Sequence, residues 1–369
     1  MDRKKLLEAL AIVEPSLATN DLIPALTHFW FTGTDITAYN DVISISVPFE
    51  TEIVGSMKGK VLYDFLSKCT GSKVEFKEIE LGGKSKATDD SNLLVKCGRA
   101  QLKMRLFPED TFLFKMPVYE EWETIDIGSE ELSASLDVCL QSIGNHVSEP
   151  ERNGITIIPK DRSIFYMYST DGVTLSHCIV KSRNKSKLKD RFVLSYAFCD
   201  AARRLLNKTK KKEHQMYVEE DHAVITFDKG IKLFGRLVDD MHPLDFEGVF
   251  NKYLPDRDID LMISIPKTLM MTIERAYVAV AKAISPKTLF KIEEDNKGPC
   301  LRITAESEYG TVRDKIRLNG DVDELSVKID LKRFRDCGLD VFDRMRFTDK
   351  CIVLSKGEDK FHLMSVLGK

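Results

Sequence analysis

The feature that most constrains this chain is an internal period about one domain long. Three apolar-periodic helical segments look alike: KVLYDFLSKC from Lys60, SYAFCDAARRLL from Ser195 and LKRFRDCGLDVF from Leu331. Their aspartates, Asp64, Asp200 and Asp336, recur at a constant interval of 136 residues. Thr34-Asp35 and Thr170-Asp171 keep that interval, and the third copy has Glu306-Ser307 there, so residue types drift while the spacing holds. A second landmark, Pro117-Val118-Tyr119-Glu120-Glu121-Trp122, has a counterpart in Pro243-Leu244-Asp245-Phe246-Glu247, and both read as connectors. Solenoid repeats run about 20–50 residues, so this period belongs to whole domains. The 369 residues divide on this basis into three similar domains near 1–124, 125–255 and 256–369.

Each repeat has the same grammar. A first helix is expected at 2–13, 129–146 and 266–284, followed by strands, the second helix and more strands. Strands follow from alternation: Leu102, Met104 and Leu106 against Lys103 and Arg105, then Leu325, Val327 and Ile329 against Ser326, Lys328 and Asp330. Gly33, Asp171-Gly172 and Asn319-Gly320 mark turns. Two helices packed on antiparallel sheet make each domain α+β.

A charged share of 31% beside 43% apolar residues fits a soluble globular chain with no disordered segment. No apolar run approaches the roughly 18 residues of a membrane span, and MDRKKLLEAL falls straight into helical spacing rather than into a signal peptide. The eight cysteines are scattered singly without a CxxC pair, which fits reduced core thiols in a cytoplasmic protein. The net charge of −3 sums 55 basic and 58 acidic residues, so only its distribution carries information.

That distribution follows the helices. In repeat three, Leu269, Ile273, Val280 and Ile284 form an apolar stripe, while Lys267, Arg275 and Lys282 recur on another face. In repeat one the second helix turns Val61, Leu62, Phe65, Leu66 and Cys69 inward and Lys60, Asp64 and Lys68 outward, and Lys5 lies on the first helix. Repeat two offers Arg203, Arg204 and Lys208; repeat three adds Lys332, Arg333 and Arg335. If these faces converge, they neutralise phosphates without reading bases. Singly, each is an ordinary solvated face, and the first helix of repeat two, with Glu130, Glu131 and Asp137, carries no base. The tracts Lys181 to Arg191 and Lys208 to Lys212 lack the aromatics of a single-strand stacking platform.

Catalytic patterns are missing. No GxSxG elbow, P-loop, GxGxxG, HExxH or HxH pair occurs, and His177 and Cys178 are adjacent in a strand, pointing to opposite faces. Carboxylates cluster at Asp256-Asp258-Asp260, Asp321-Asp323-Glu324 and Asp239-Asp240. These would suit a metal-dependent nucleic-acid-processing enzyme, which is the alternative function, or simply turns. No metal or cofactor is expected.

With the repeats in place, the chain resembles the bacterial-type DNA sliding clamp, the β subunit of the replicative polymerase. The likeness rests on Leu22-Ile23-Pro24-Ala25-Leu26, Asn153-Gly154, Ser169 to Leu175, Arg236-Leu237-Val238-Asp239 before Pro243, Met116-Pro117 to Trp122, and Met364-Ser365-Val366-Leu367. The resemblance implies a DNA clamp fold closed by two copies into a ring, with helices around double-stranded DNA and no chemistry of its own. Its implied partners are a DNA polymerase, a clamp loader and a second copy of itself, in the cytoplasm of a bacterial cell or infected bacterial host. Edge strand Gln101 to Phe107, with Lys103, Met104 and Leu106, would pair with an edge of repeat three near Ile284. A peptide groove would comprise Thr170, Gly172, Val173, Thr174, Leu175, Pro243, Val249, Met364, Ser365, Val366 and Leu367. The tail is expected to dock as one wall of that groove. DNA-facing loops would include Asn20, His146 and Arg152. The chain departs from the family pattern at Val173-Thr174, where a basic pair is usual, at Ser365 in place of proline, at Arg152 in place of leucine, and at the terminal Gly368-Lys369. Those departures point to different partners, as in a virus- or plasmid-encoded clamp.

Overall fold

The computed structural model describes residues 1–20, 22–79, 91–145, 148–208, 212–239, 243–254, 262–284, 286–320 and 322–367. The chain opens with α1 (Arg3–Val13), β1 (His28–Thr32), β2 (Asp35–Tyr39), β3 (Ile43–Pro48), β4 (Val54–Lys58) and α2 (Gly59–Lys68). There follow β5 (Val74–Ile79), β6 (Ser91–Cys97), β7 (Ala100–Leu106), β8 (Glu123–Gly128) and α3 (Ser129–Cys139). Next come β9 (Gly154–Pro159), β10 (Ile164–Thr170), β11 (Thr174–Lys181), β12 (Phe192–Ser195) and α4 (Tyr196–Leu206). The chain continues with β13 (Glu213–Glu219), β14 (His222–Thr226), β15 (Lys232–Val238), α5 (Phe246–Tyr253), β16 (Ile263–Ser264) and α6 (Leu269–Val280). The last elements are β17 (Lys287–Asp295), β18 (Gly298–Ser307), β19 (Gly310–Arg317), β20 (Leu325–Lys328), α7 (Leu331–Asp336), β21 (Arg344–Phe347), β22 (Cys351–Lys356) and β23 (Lys360–Ser365).

These elements form two compact units. One comprises Met1–Ser129, Arg183–Lys187 and Ala197–Leu237; the other comprises Glu130–Ser182, Leu188–Tyr196 and Val238–Lys369. The first holds an antiparallel sheet in the order β4-β1-β2-β3-β15-β14-β13-β8 and a smaller sheet β5-β6-β7. The second holds β12-β9-β10-β11-β23-β22-β21-β16 and the smaller sheet β19-β18-β17-β20. The two eight-stranded orders match strand for strand along the repeat. In each, the central pairing joins strands well over one repeat apart along the chain: β3 pairs β15 through Ser46↔Lys232, and β11 pairs β23 through Leu175↔Leu363.

The helices cover these sheets with stripes that the sequence dictates. On α1, Leu6, Ala9, Leu10 and Val13 are buried at helical spacing, and the Asp2 carboxylate caps the helix by accepting from the Lys5 N–H at 2.9 Å. On α4, Phe198, Cys199, Ala202 and Leu206 are buried. Phe198 reaches the backbone of β15 because Gly235 is there: a Cβ would stand 2.3 Å from its ring. All eight cysteines are buried and none is in a disulfide, and the Cys139 and Cys178 Sγ atoms lie 3.7 Å apart. His177 faces away from Cys178, with its ring 4.6 Å from that of Phe250.

Several boundaries differ from expectation. The helix expected over 129–146 ends at Cys139 and tightens to a 3-10 turn at Leu140–Ser142, because the Ser142 hydroxyl turns inward to Ser176 at 2.8 Å. The helix expected over 266–284 is only Leu269–Val280, so Lys267 and Lys282 flank it and share no helical face with Arg275. Val61, expected inward, is 45% exposed, and Phe65 is half-buried. The segment after Pro243 becomes a helix, α5, capped by Asp245, which accepts from the Gly248 N–H at 2.9 Å.

Candidate functional site

The second unit contains a cleft of about 110 Å³ lined by Thr170, Gly172, Val173, Thr174, Leu175, Val249, Tyr253, Cys351, Leu363 and Ser365. Its floor is core-like. Leu175, Cys351 and Leu363 sit at most 6% exposed, over a cluster that includes Tyr168, Phe246, Phe250 and Phe361. One wall is α5, where Phe246 and Phe250, four residues apart, face the core; Phe246 stacks on Tyr168 at 5.1 Å. That anchoring leaves Val249 and Tyr253, also four apart, on the flank lining the cleft, with Val249 46% exposed.

The opposite wall is the turn between β10 and β11. Asp171 braces it: Oδ1 accepts from the N–H groups of Val173 (2.9 Å) and Thr174 (2.6 Å) and from the Thr174 hydroxyl (2.8 Å). The Thr170 hydroxyl donates to the Thr174 carbonyl at 2.6 Å. Gly172 holds φ +85°, and a Cβ there would come 2.8 Å from the Arg152 guanidinium. On the far side Arg333 pairs with Asp171 Oδ2. Burial pushes the Asp171 carboxyl up, but hydrogen bonds from Thr174, Val173 and Arg333 outweigh it and hold the group below the usual carboxylate range.

Most groove positions expected from sequence meet here: Thr170, Gly172, Val173, Thr174, Leu175, Val249 and Ser365 all line the cleft. Pro243 does not line it and is exposed, and Met364 is turned the other way and is 1% exposed. The tail is more than a rim. Met364 lies in β23 between Thr174 of β11 and Ile352 of β22, so residues to Ser365 are interior strand. Val366 and Leu367 are tied by backbone bonds to Lys350 and Lys328, and neither lines the cleft. Leu363, at the start of the apolar tail expected to wall the groove, lines it. Tyr253 and Cys351 were not expected; the i, i+4 pairing of Val249 with Tyr253 was the available signal for the first.

Arg152, expected on a DNA-facing loop, lies against Gly172 and pairs with Glu149 at 2.8 Å. Two other basic groups are also engaged: Arg203 with Asp200 at 3.1 Å, and Arg275 with Asp314 at 2.6 Å. Lys60, Lys68, Lys267, Lys282 and Lys332 are exposed and make no ion pair among the described residues. Lys5 and Asn20 are exposed as well. His146, residues 209–211, the Asp256-Asp258-Asp260 group, Asp240, Asp321 and Gly368-Lys369 lie outside the described residues. Among the described residues no three His, Cys, Asp or Glu side chains gather as a metal site, and no helix is long and apolar enough to cross a membrane.

For the expected seam, Met104 and Leu106 are buried within their own unit at 9% and 4%, so the side chains β7 leaves outward are Lys103 and Arg105. β7 and β19 each end a sheet. Ile284 is 89% exposed, but past the end of α6, with its N–H donating to Glu308 at 2.8 Å. Sequence reasoning missed Met271 and Val278 on α6 and Tyr309 in the turn before β19, which are 56%, 78% and 68% exposed.

A larger hollow, about 420 Å³, lies in the first unit between the Glu109–Met116 segment and the strands below it. Trp30, Thr37, Ser46 and Lys232 form an in-register row there across four strands. Phe112 is spent on Trp30 at 3.6 Å, leaving hydroxyls and charges of both signs at the mouth, a mixture that selects no ligand class.

Sheet order, helix placement and groove together define the DNA clamp fold. The chain is similar along its whole length to solved bacterial sliding clamps. The DNA polymerase sliding clamp of Bacillus subtilis matches at TM-score 0.79 and 17% identity, covering 100% of this chain and 98% of that one. The β subunit from the DNA polymerase of Streptococcus pyogenes matches at 0.81 and 14%, covering 100% and 99%. The sliding clamp (DNA polymerase III subunit beta) of Pseudomonas aeruginosa bound to griselimycin matches at 0.80 and 16%, covering 100% and 98%. No protein-family model matches the chain, and no curated protein matches it.

Proposed function

We propose that this chain is a sliding clamp: two copies close into a ring around duplex DNA and tether a DNA polymerase through the groove beside β11 and α5. The observation that carries this reading is the clamp fold over the full length of the chain. Two eight-stranded sheets whose strand orders match along the repeat support three domains near 1–124, 125–255 and 256–369. The role is tethering, with no catalysis and no cofactor, in the cytoplasm of a bacterial cell or infected bacterial host, and it requires a loader to open the ring. The free strand edges of β7 and β19, with Met271, Val278 and Tyr309, are the surface offered to a second copy. Exposed lysines on and beside α2, α6 and α7 supply sequence-independent contact with phosphates. A groove with a leucine-rich floor takes a short peptide by apolar anchors.

The test threads the protein onto linear duplex and then blocks the ends with streptavidin. A clamp stays on the DNA at high salt and leaves when the duplex is cut, and light scattering gives a closed oligomer. Sequence-selective retention, or hydrolysis of the DNA with magnesium, would overturn the reading. Griselimycin, found with the Pseudomonas aeruginosa clamp, is a ready probe for the groove.

A further inference from the structure

We propose that Arg333 is a positioning residue for the partner groove, and that its sharing between Asp171 and DNA phosphate makes partner binding and DNA binding oppose each other. The proposal rests on the clamp reading above.

The turn that forms one wall of the groove is braced from inside by the Thr170 hydroxyl and by one carboxylate oxygen. All three bonds from Val173 and Thr174 go to Asp171 Oδ1. Oδ2 is held by the Arg333 guanidinium, which arrives from α7, 162 residues away along the chain. Arg333 is itself placed by the start of that helix. Its N–H donates to the Asp330 cap at 3.1 Å, and its Nε lies 3.5 Å from the other Asp330 oxygen. The guanidinium therefore bridges two carboxylates, one fixing α7 and one fixing the groove turn. The Asp171 side chain is 18% exposed and the Arg333 side chain 42%, so the cation remains open to solvent while the carboxylate does not.

Removing the guanidinium leaves Oδ2 without its cation in a largely buried place. The turn's own donors are already committed to Oδ1 or to the Thr170 hydroxyl, so Asp171 would rotate to recover water, carrying Val173 and Thr174 with it. The Val173 carbonyl also accepts from the Ser365 N–H at 3.1 Å, so this movement reaches both sides of the cleft.

Lys332, beside Arg333 on α7, is exposed, and α7 is one of the helices proposed to meet phosphates. A phosphate matches a guanidinium in the same forked geometry as a carboxylate. Asp171 Oδ2 is held through Nη1, so a phosphate that draws Nη1 to itself releases Oδ2. By linkage, whatever DNA does to peptide affinity, peptide does equally to DNA affinity.

The experiment measures fluorescence anisotropy of a labelled ten-residue peptide with leucine and phenylalanine anchors. It uses the full chain with and without a saturating short duplex, on wild type, Arg333→Gln, Arg333→Lys and Asp171→Asn, with thermal melts to show that each folds. In wild type the duplex should weaken peptide binding by about fivefold, the low end of typical coupling between sites. Arg333→Gln and Asp171→Asn should bind the free peptide more weakly and be indifferent to DNA, and Arg333→Lys should recover part of both effects. Wild-type peptide affinity in Arg333→Gln, or coupling that survives in it, overturns the proposal, as does a wild type that binds peptide equally with and without DNA. A wild type that binds no peptide overturns the groove reading as well, which separates the two failures.

Discussion

His362 is a buried histidine whose titration the structure makes quantitative. It is completely buried on β23, and burial, only partly countered by the Asp171 charge, lowers its imidazole from the ordinary 6.5 to about 4. Nδ1 lies 3.1 Å from the Ser142 hydroxyl and 3.0 Å from the Ser176 hydroxyl, which can in turn donate to the Val138 carbonyl at 3.0 Å. Nδ1 and these hydroxyls share hydrogen bonds whose direction follows the ring's tautomer, and Nε2 is buried without a partner among the described residues, so a second proton on the ring would sit in a wholly buried place. Because the unfolded chain takes up the proton first, stability falls as pH drops below about 6.5 and levels off below about 4. The loss works out at about 2 kcal/mol by pH 5 and about 3 kcal/mol at its limit. Urea unfolding of wild type and His362→Gln at pH 8, 7, 6 and 5 checks this, since other titrating groups cancel in the comparison. The stability gap between the two proteins should shrink by about 2 kcal/mol from pH 8 to pH 5. A gap constant to within about 0.5 kcal/mol would refute the reasoning.

Other outcomes follow from particular contacts. Met271→Glu with Val278→Glu should give folded monomers in sedimentation, whereas Leu106→Asp should unfold its unit, because that side chain is already buried within one chain. Replacing Lys60, Lys282 and Lys332 with glutamine should flatten the salt dependence of DNA binding by up to about one unit per lost phosphate contact, while Arg275→Gln, already paired with Asp314, should change it little. Gly172→Ala should weaken peptide binding and cost about 1–2 kcal/mol in stability, since φ +85° and Arg152 both oppose a Cβ. Ending the chain after Ser365 should preserve folding, whereas ending it after Leu363 should destabilise the second unit in thermal melts, because it cuts into β23.

The repeat interval and the alternating strands made the fold class legible, because both are local patterns that survive drift in residue type. The turn at Thr170, Asp171 and Gly172 was legible for the same reason, because its chemistry fixes its residues, whereas its place in a groove came only from the family resemblance. What stayed hidden depends on distant partners. Nothing near Arg333 announces Asp171, and nothing near Arg275 announces Asp314, so sequence counted as free two cations that are engaged. Leu363 and Met364 are adjacent apolar residues, and only the pairing of β23 decides that Leu363 faces the groove and Met364 the opposite side. Leu106 looked like a seam residue because its alternation marks an apolar face, but alternation does not say which chain covers that face.

The strand order of the first unit also sets a timetable for synthesis. β3 leaves the ribosome long before its neighbour β15, with roughly 190 residues between Ser46 and Lys232, or ~10–40 s at ordinary elongation rates. Throughout that interval a nascent chain carries a four-stranded half-sheet with one raw edge at Ile43–Pro48, the kind of edge that recruits other strands. The same wait recurs for β11, whose partner β23 closes the chain. Fragments ending at a repeat boundary should therefore be poor folders and eager aggregators, although each repeat looks complete in sequence. The compact units part inside the second repeat rather than between repeats.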